Sequence, residues 1–389
     1  MPFYQKLGTL PAKRHIAFRK EDGGIYYEEL MGNKGFVGPA SLLYHIHRPT
    51  TVQAMQPLRN VKPQAEADEQ LRMRHFRTNG MPTGGSATLD RHTVLFNDDV
   101  AISHAAPDRA DDFWFRNAQA DEIVYVGKGS GRVETVLGDF DYSEGDYIVI
   151  PRFILYRLLP DDGVPHRLLV IESRGHVRTP KRYRNEFGQM LEGAPFSERD
   201  IRTPDKLEPH DEMGEFRIVV KQHHQLVQFT FDHHPLDVVG WDGYYFPFAF
   251  NIANFEPIVG KIHQPPPIHQ TFDSDNFVVC SFCPRPYDFH PEAVPAPYHH
   301  SNVMSDEVLF YVSKEFMSRK GIEWGSITLH PDGLVHGPHP GRAEASIGQK
   351  ETHELAVMVD TFRPLHVAKA ALAVEDGDYY RSWMEPIRH

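Results

Sequence analysis

One spacing pattern occurs twice in the chain, and it constrains the fold more than any other feature. Gly145 and Gly325 are each followed by five residues, a proline, four residues and a bulky side chain, which is Tyr156 in the first copy and His336 in the second. A glycine that ends a turn, a five-residue strand and a proline at the next corner make a short β unit. The repeat therefore predicts two related β domains.

Each copy is preceded by an acidic pair and a β-branched, aromatic run, at residues 121–126 and 306–312. Such runs favour strands. The second copy also carries His300, seven residues before Glu307. With His336, these residues make two imidazoles and one carboxylate, a ligand set that suits Fe(II) and leaves coordination positions open. We expect the metal there.

Two neighbours leave the ligand assignment open. His299 could replace His300, and Asp306 could replace Glu307, because each lies next to the preferred residue in the chain. His300 and Glu307 are seven residues apart, so on one flat strand they would face opposite sides. We therefore expect a bulge or loop at residues 302–306 to redirect one of them.

The first copy keeps the same spacing without metal ligands. Phe115, Glu122 and Tyr156 stand at the three ligand positions. A lone glutamate beside two aromatic rings cannot hold a catalytic iron, since neither ring offers an imidazole nitrogen. We interpret this half as structural.

Composition limits the function classes. The chain has 389 residues, 40% of them hydrophobic, a formal net charge of −12 and two cysteines. The negative charge gives no support to nucleic-acid binding, which needs a basic surface. We find no apolar run near the roughly 18–20 residues that span a bilayer and no signal peptide. Few cysteines favour a reducing compartment, so we expect a cytoplasmic protein.

The repeated unit resembles the cupin family, whose motifs combine histidines and a glutamate with Gly, five residues and Pro-x-Gly-x-x-His. Asn302 would replace one motif histidine. The resemblance implies a mainly β fold of two jelly-roll barrels with additional strands and short helices. We expect a metal-free N-terminal half at 1–172, a connecting and additional β region at 173–260, and a metal-binding barrel at 261–389. The role of residues 173–215 stays open.

Beyond that frame, the chain resembles the homogentisate 1,2-dioxygenase family. The matching segments occur in order along most of the chain, at residues 41–45, 239–247, 282–286, 297–305 and 379–386. The resemblance implies an Fe(II)-dependent enzyme that uses O2 to open an aromatic ring, converting homogentisate to maleylacetoacetate in tyrosine and phenylalanine catabolism. It also implies a homo-oligomer, a trimer or hexamer.

The family's iron ligands fall on His300, Glu307 and His336, in agreement with the spacing argument. The family also has an upstream acid–base histidine that binds the substrate hydroxyl. His263 matches it best, and His269 is the competitor.

Further substrate contacts follow from the same resemblance. It places His269, His330, His336 and Phe316 at the substrate. Phe316 lies where the family has a tyrosine, which implies the loss of one polar contact. Gentisate or another hydroquinone is therefore an alternative substrate. A metal-binding bicupin that acts as an isomerase or sensor is the alternative of a different class.

Overall fold

The computed structural model describes residues 3–68 and 70–384. Strands make up 40% of it and helices 8%, which confirms a mainly β fold. The strands, in chain order, are β1 (Gln5–Gly8), β2 (Tyr27–Gly32), β3 (Ala40–His45), β4 (Ala54–Asn60), β5 (Arg74–Arg77), β6 (His92–Phe96), β7 (Val100–Ala105), β8 (Trp114–Asn117), β9 (Asp121–Lys128), β10 (Gly131–Thr135), β11 (Phe140–Tyr142), β12 (Asp146–Ile150), β13 (Leu155–Pro160), β14 (Arg167–Ser173), β15 (Ile201–Arg202), β16 (Met213–Gln222), β17 (Gln225–His233), β18 (Val238–Gly243), β19 (Phe248–Asn251), β20 (Gln270–Asp273), β21 (Phe277–Phe282), β22 (Arg285–Pro286), β23 (Asp306–Tyr311), β24 (Ser326–His330), β25 (Glu351–Thr352), β26 (Ala356–Thr361) and β27 (His366–Val367).

The helical segments are short and lie at corners between strands. They are the α-helix α1 (Arg342–Ser346) and the 3-10 helices Thr78–Gly80, Lys181–Tyr183, Glu198–Asp200, Ile252–Asn254, Pro266–His269, Lys369–Val374 and Tyr379–Trp383. No helix among the described residues is both long enough and apolar enough to cross a membrane.

Three large sheets build the two cores. A seven-stranded sheet has the order β11-β10-β13-β8-β16-β17-β4, an eight-stranded sheet has the order β15-β19-β12-β9-β14-β7-β6-β27, and a six-stranded sheet has the order β20-β21-β26-β23-β24-β5. A four-stranded sheet, β1-β18-β3-β2, and the pair β22-β25 complete the pairing in the described chain. The eight-stranded sheet is shared between the two cores.

Strand β9 shows how one sheet serves both cores. Val124 and Val126 face a core shared with the seven-stranded sheet, whereas Ile123 and Tyr125 face a core shared with the six-stranded sheet. Side chains alternate along a strand, so a strand buried on both faces is apolar throughout. Burial on both faces explains why the apolar run at 123–126 is continuous rather than alternating.

Strand β23 shows the same alternation in the second half. Val308 and Phe310 pack in the core between the sheets, and the Phe310 ring lies 6.2 Å from that of Tyr125. Leu309 and Tyr311 point to the opposite face of the six-stranded sheet, where they join a separate apolar cluster. Glu307 lies on that same face, because it is two residues before Leu309.

Two strands connect the halves of the chain. β5, from the N-terminal half, pairs with β24, and β27, from the C-terminal end, pairs with β6. The stretch 173–215 packs between the sheets, where Tyr183 and Phe196 join the shared core. The expected boundaries at 172 and 260 stay a prediction, and residues 385–389, including the end of the 379–386 match, lie outside the described part.

Candidate metal centre

His300 and His336 are held together by their own backbones. The His300 N–H donates to the His336 carbonyl over 2.8 Å, and the His336 N–H donates to the His300 carbonyl over 2.9 Å. His336 follows the corner after β24, where Gly333 takes a positive φ of 75°. A glycine allows that turn without strain. The repeated Gly–Pro frame thus brings one ligand histidine beside the other.

Glu307 completes the cluster from β23. Its Oε2 lies 3.6 Å from the Nε2 of His300 and 3.6 Å from the Nε2 of His336. One ligand atom from each of the three residues lies within 4.8 Å of the others. Atoms that share a metal at about 2.0–2.2 Å are separated by such distances. The expected turn between the first two ligands is present, since residues 301–305 precede the start of β23.

The two imidazole rings are oriented for metal binding. The Nδ1 of His300 lies 3.0 Å from the Tyr298 carbonyl, and the Nδ1 of His336 lies 3.4 Å from the Leu334 carbonyl. A ring that donates Nδ1–H to a carbonyl keeps a free lone pair on Nε2. The His336 Nε2 is buried and has no hydrogen-bond partner. A buried, unpartnered nitrogen is costly, so this donor set fits a bound divalent metal.

Glu307 is prepared as an anionic ligand. Burial alone would raise the pKa of its carboxyl, but the interactions with the nearby His300, His330 and His336 rings outweigh burial and hold that pKa well below the ordinary value. Its second oxygen, Oε1, lies 2.7 Å from the His330 Nδ1 and 3.6 Å from the Arg319 guanidinium. One carboxylate oxygen is thus fixed by protein groups, and the other faces the histidines.

The structure does not bring the alternative ligands into this cluster. Asp306 points to the opposite face of β23, where its carboxylate accepts the backbone N–H groups of Asp332 and Leu365 over 2.8 and 2.6 Å. His299 is exposed. His339, from the same loop as His336, has its Nδ1 occupied by the Lys320 N–H at 2.8 Å.

A cavity of about 360 Å³ opens beside the cluster. Its walls include His300 and Glu307, together with His263, His269 and Phe316. That size falls within the range of small-molecule sites. The sequence-predicted metal and substrate residues therefore share one cavity, except for His330 and His336, which lie behind it.

The two candidate acid–base histidines differ in their surroundings. His263 is exposed and packs against the Tyr298 ring at 5.3 Å. His269 is buried against Phe282, with ring centroids 4.6 Å apart, and its Nδ1 has no hydrogen-bond partner. Burial and the nearby Arg285 cation lower the pKa of His269 to about 3. His269 is therefore neutral at neutral pH, whereas the His263 side chain is in contact with solvent.

His330 and Phe316 take different places. His330 is fully buried behind Glu307, and its Nε2 lies 3.3 Å from the Tyr379 hydroxyl. Burial and Arg319 lower the pKa of His330 to about 3. Phe316 lines the cavity, with its ring 5.1 Å from that of Tyr311.

Two cavity residues were not singled out by the sequence. Arg319 is buried beside Glu307, and its Nη1 donates to the Gly337 carbonyl over 2.8 Å. Asp360 lies on β26 directly across from Glu307. Burial and Glu307 raise the pKa of Asp360 to about 8. Arg319 lies three residues after Phe316, the position expected to depart from the family, which was a usable signal, whereas Asp360 sits in an ordinary strand sequence.

The corresponding place in the N-terminal half holds a guanidinium. Arg91 bonds the Glu122 carboxylate and donates to the Tyr156 hydroxyl over 2.9 Å, and Tyr156 donates to Glu122. Asn117 donates to Glu122 over 3.0 Å and to Glu172 over 2.9 Å. A protein cation thus neutralises the glutamate at the position that corresponds to the metal ligand Glu307.

A second His–Glu–His group lies near the surface, at His210, Glu212 and His234. Its imidazole rings stack 4.0 Å apart at 24°, so their nitrogen lone pairs lie in two nearly parallel planes. The His234 Nδ1 also accepts the Leu236 N–H over 3.2 Å. Converging lone pairs, which a metal needs, are found at His300 and His336 instead.

Comparison with known proteins identifies the family of the chain. A family profile described as homogentisate 1,2-dioxygenase N-terminal matches residues 44–252. A putative dioxygenase of Saccharolobus solfataricus is 41% identical over 98% of this chain and 99% of its own length. A homogentisate 1,2-dioxygenase of Rhizobium etli is 26% identical over 97% of this chain and 89% of its own length.

Solved structures are more distant. A cupin 2 conserved barrel domain protein from Leptotrichia buccalis covers 79% of this chain and 98% of its own, with 12% identity and a TM-score of 0.33. A score of that size adds nothing to the strand topology described above. The profile spans more than half of the chain and the 41% relative spans nearly all of it, so the chain belongs to the homogentisate 1,2-dioxygenase family.

Proposed function

We propose that the protein is an Fe(II)-dependent dioxygenase that opens an aromatic ring, with homogentisate and O2 as substrates and maleylacetoacetate as product, in tyrosine and phenylalanine catabolism. The observation that carries the proposal is the cluster of His300, Glu307 and His336 beside a cavity of about 360 Å³. Two imidazoles and one carboxylate are the ligand set of mononuclear iron oxygenases. Family membership supports the same chemistry.

The three ligand residues would hold iron on one side and leave the cavity side open. Bound Fe(II) would orient the substrate and O2 and stabilise negative charge that develops on oxygen. His330 holds Glu307 by the 2.7 Å hydrogen bond to Oε1, which keeps the second oxygen directed at the histidines. Such outer hydrogen bonds fix the orientation of ligand side chains.

We assign His263 the acid–base role and His269 a substrate-binding role. His263 is exposed and lines the cavity, so it can take a phenolic proton and release it to water. A general base needs such access and a pKa near the working pH. His269 stays neutral, and its unpartnered Nδ1 is free for a hydrogen bond to substrate.

The aromatic wall would hold the ring itself. Phe316 and Phe282 meet edge to face, with centroids 5.7 Å apart, beside Leu309 and Met358. Aromatic and aliphatic walls favour a flat apolar ring and exclude water. They also keep the ring close to the ligand residues.

The alternative substrate is gentisate or a related hydroquinone. Phe316 offers no hydroxyl that could hydrogen-bond to a carboxylate substituent on the substrate ring. Arg285, a cation in the cavity wall, is already paired with Glu354 at 2.9 Å. These observations leave the ring substituent less constrained than the ring-opening chemistry. An isomerase or sensor function is the alternative of another class, and it would consume no O2.

The proposal also covers the binding partners, the assembly and the location of the protein. We propose a small aromatic substrate and O2 as the partners, a trimeric or hexameric assembly and a cytoplasmic location, with no nucleic-acid or membrane partner. Size-exclusion chromatography with light scattering would measure the assembly directly.

Oxygen uptake tests the proposal. The protein is loaded with Fe(II) without oxygen, mixed with aerated homogentisate or gentisate, and followed by an oxygen electrode and by the ultraviolet absorbance of the product. We expect one O2 consumed per homogentisate. Uptake with gentisate alone would change the substrate, and no uptake with any hydroquinone would exclude the dioxygenase function. His299→Ala, which changes an exposed neighbour of the cluster, is the matched control for His300→Ala.

A further inference from the structure

Asp360 faces the same space as the metal ligand Glu307. The register of β23 and β26 pairs Glu307 with Asp360 and Leu309 with Met358. Directly opposed side chains on neighbouring strands point to the same face of the sheet. Leu309 and Met358 both line the cavity, and so does Asp360. Two carboxyl groups therefore lie side by side at the cavity wall.

The Asp360 carboxyl has no partner in the described part of the chain. Its Oδ1 is buried and makes no hydrogen bond, and no cation forms an ion pair with it. Glu307 is its neighbour on one side and Val278 of β21 on the other. A buried polar group without a partner costs free energy. The unpartnered Asp360 carboxyl therefore indicates that a ligand binds beside it.

A metal held by the three clustered residues would not itself be the partner of the Asp360 carboxyl. The atoms that lie within 4.8 Å of one another come from His300, Glu307 and His336, and Asp360 stands outside that set. A carboxyl that lies beside the ligand atoms without joining them faces whatever molecule binds next to the metal. In the proposed reaction, that molecule is the hydroxylated ring.

We propose that the Asp360 carboxyl accepts a hydrogen bond from a ring hydroxyl of the bound substrate, so that Asp360 selects rings with a free hydroxyl over their ethers. The inference rests on the proposed function and names its substrate class as a hydroquinone with both hydroxyls free. An ether in place of the hydroxyl would leave the buried Oδ1 without a partner, so we expect a preference of roughly tenfold for the ring with the free hydroxyl.

The test uses binding without turnover. Zn(II) takes the same nitrogen and oxygen ligands as Fe(II) but has no redox chemistry. Hydroquinone and 4-methoxyphenol are titrated calorimetrically into the Zn(II)-loaded protein. Each probe keeps one hydroxyl, and they differ only in the second oxygen. We expect wild type to bind hydroquinone about tenfold more tightly than the ether.

Three variants locate the effect. Asp360→Leu should bring the affinity ratio close to one while the bound zinc stays at one per chain. Asp360→Asn keeps the shape and a neutral acceptor, so its ratio should lie between the two, and it replaces the leucine variant if that one does not fold. Val278→Ala changes the apolar neighbour of Asp360 on β21, which is not among the described residues that line the cavity, and it should keep the wild-type ratio.

The outcomes separate the inference from the proposed function. A tenfold ratio that persists in Asp360→Leu or Asp360→Asn overturns the role of Asp360. Loss of zinc in both variants overturns it as well, because Asp360 would then serve the metal. Failure of wild type to bind hydroquinone, together with no oxygen uptake by the Fe(II)-loaded form, would overturn the proposed function itself.

Discussion

Substitution of Arg91 tests whether its guanidinium neutralises Glu122, which stands in the N-terminal half at the position that corresponds to Glu307. Its guanidinium bonds Glu122, lies 3.3 Å from Glu172 and donates to the Tyr156 hydroxyl over 2.9 Å. Glu122 is fully buried, and Glu172 is 8% exposed. Arg91→Met keeps most of the side-chain length and removes the cation. It leaves Glu122 as a buried carboxylate without its neutralising partner.

The burial of these groups sets the expected decrease in the free energy of unfolding. Removal of one partner from a buried ion pair costs about 3–5 kcal/mol. Glu172 keeps Lys221, whose Nζ lies 2.6 Å from its carboxylate, so the cost comes mainly from Glu122. Arg14→Met, at an ion pair with a half-exposed arginine and Asp242, should cost no more than about 1 kcal/mol.

Urea unfolding followed by tryptophan fluorescence would measure the difference, because Trp114 and Trp241 lie in this core. The double variant Arg91→Met with Glu122→Gln removes the unpaired charge and should recover part of the lost stability. A loss below about 1 kcal/mol in the single variant, or no recovery in the double variant, would refute the interpretation that Arg91 substitutes for a metal.

Three further predictions follow from other parts of the molecule. Burial lowers the pKa of His45, but hydrogen bonds with Asp237 and Glu29 outweigh it and raise that pKa to about 9. The resulting stabilisation is complete below pH 6.5 and lost as the pH rises through 9. Urea unfolding at pH 6 and pH 9.5 should therefore differ by up to about 3 kcal/mol, and by less in Glu29→Gln. His263→Asn should lower kcat, and His269→Phe should mainly raise KM, both measured by oxygen uptake. Loading with Fe(II) at 100 times its dissociation constant should stabilise the fold by about 2.7 kcal/mol, seen as a higher midpoint of urea unfolding.

The repeated spacing was sufficient to predict much of the fold and the proximity of Glu307 and His336 to His300. Gly325, Pro331 and His336 fix a strand, a corner and a ligand through local backbone rules, and these rules need no knowledge of distant residues. The same local rules predicted a turn between His300 and Glu307, and residues 301–305 form it.

Other features depend on contacts that no local pattern encodes. The pairing of β5 with β24 joins residues more than 240 positions apart in the chain. Asp360 can be recognised as a site residue only from the strand register, which sets it opposite Glu307. His330 was expected at the substrate, yet its side chain lies behind Glu307, because pairing of β23 and β24 places the two residues side by side. Strand register is a tertiary property, so sequence analysis alone could not supply these positions.

The bound iron per chain, measured after anaerobic loading with Fe(II) and removal of excess metal, tests the central claim most directly. Wild type and His299→Ala should each hold one iron per chain, because His299 is exposed and stands outside the cluster. His336→Ala removes a nitrogen that is buried and unpartnered without a metal, so it should lose most of its iron. A His336→Ala protein that keeps full iron and full oxygen uptake would contradict the assigned metal centre.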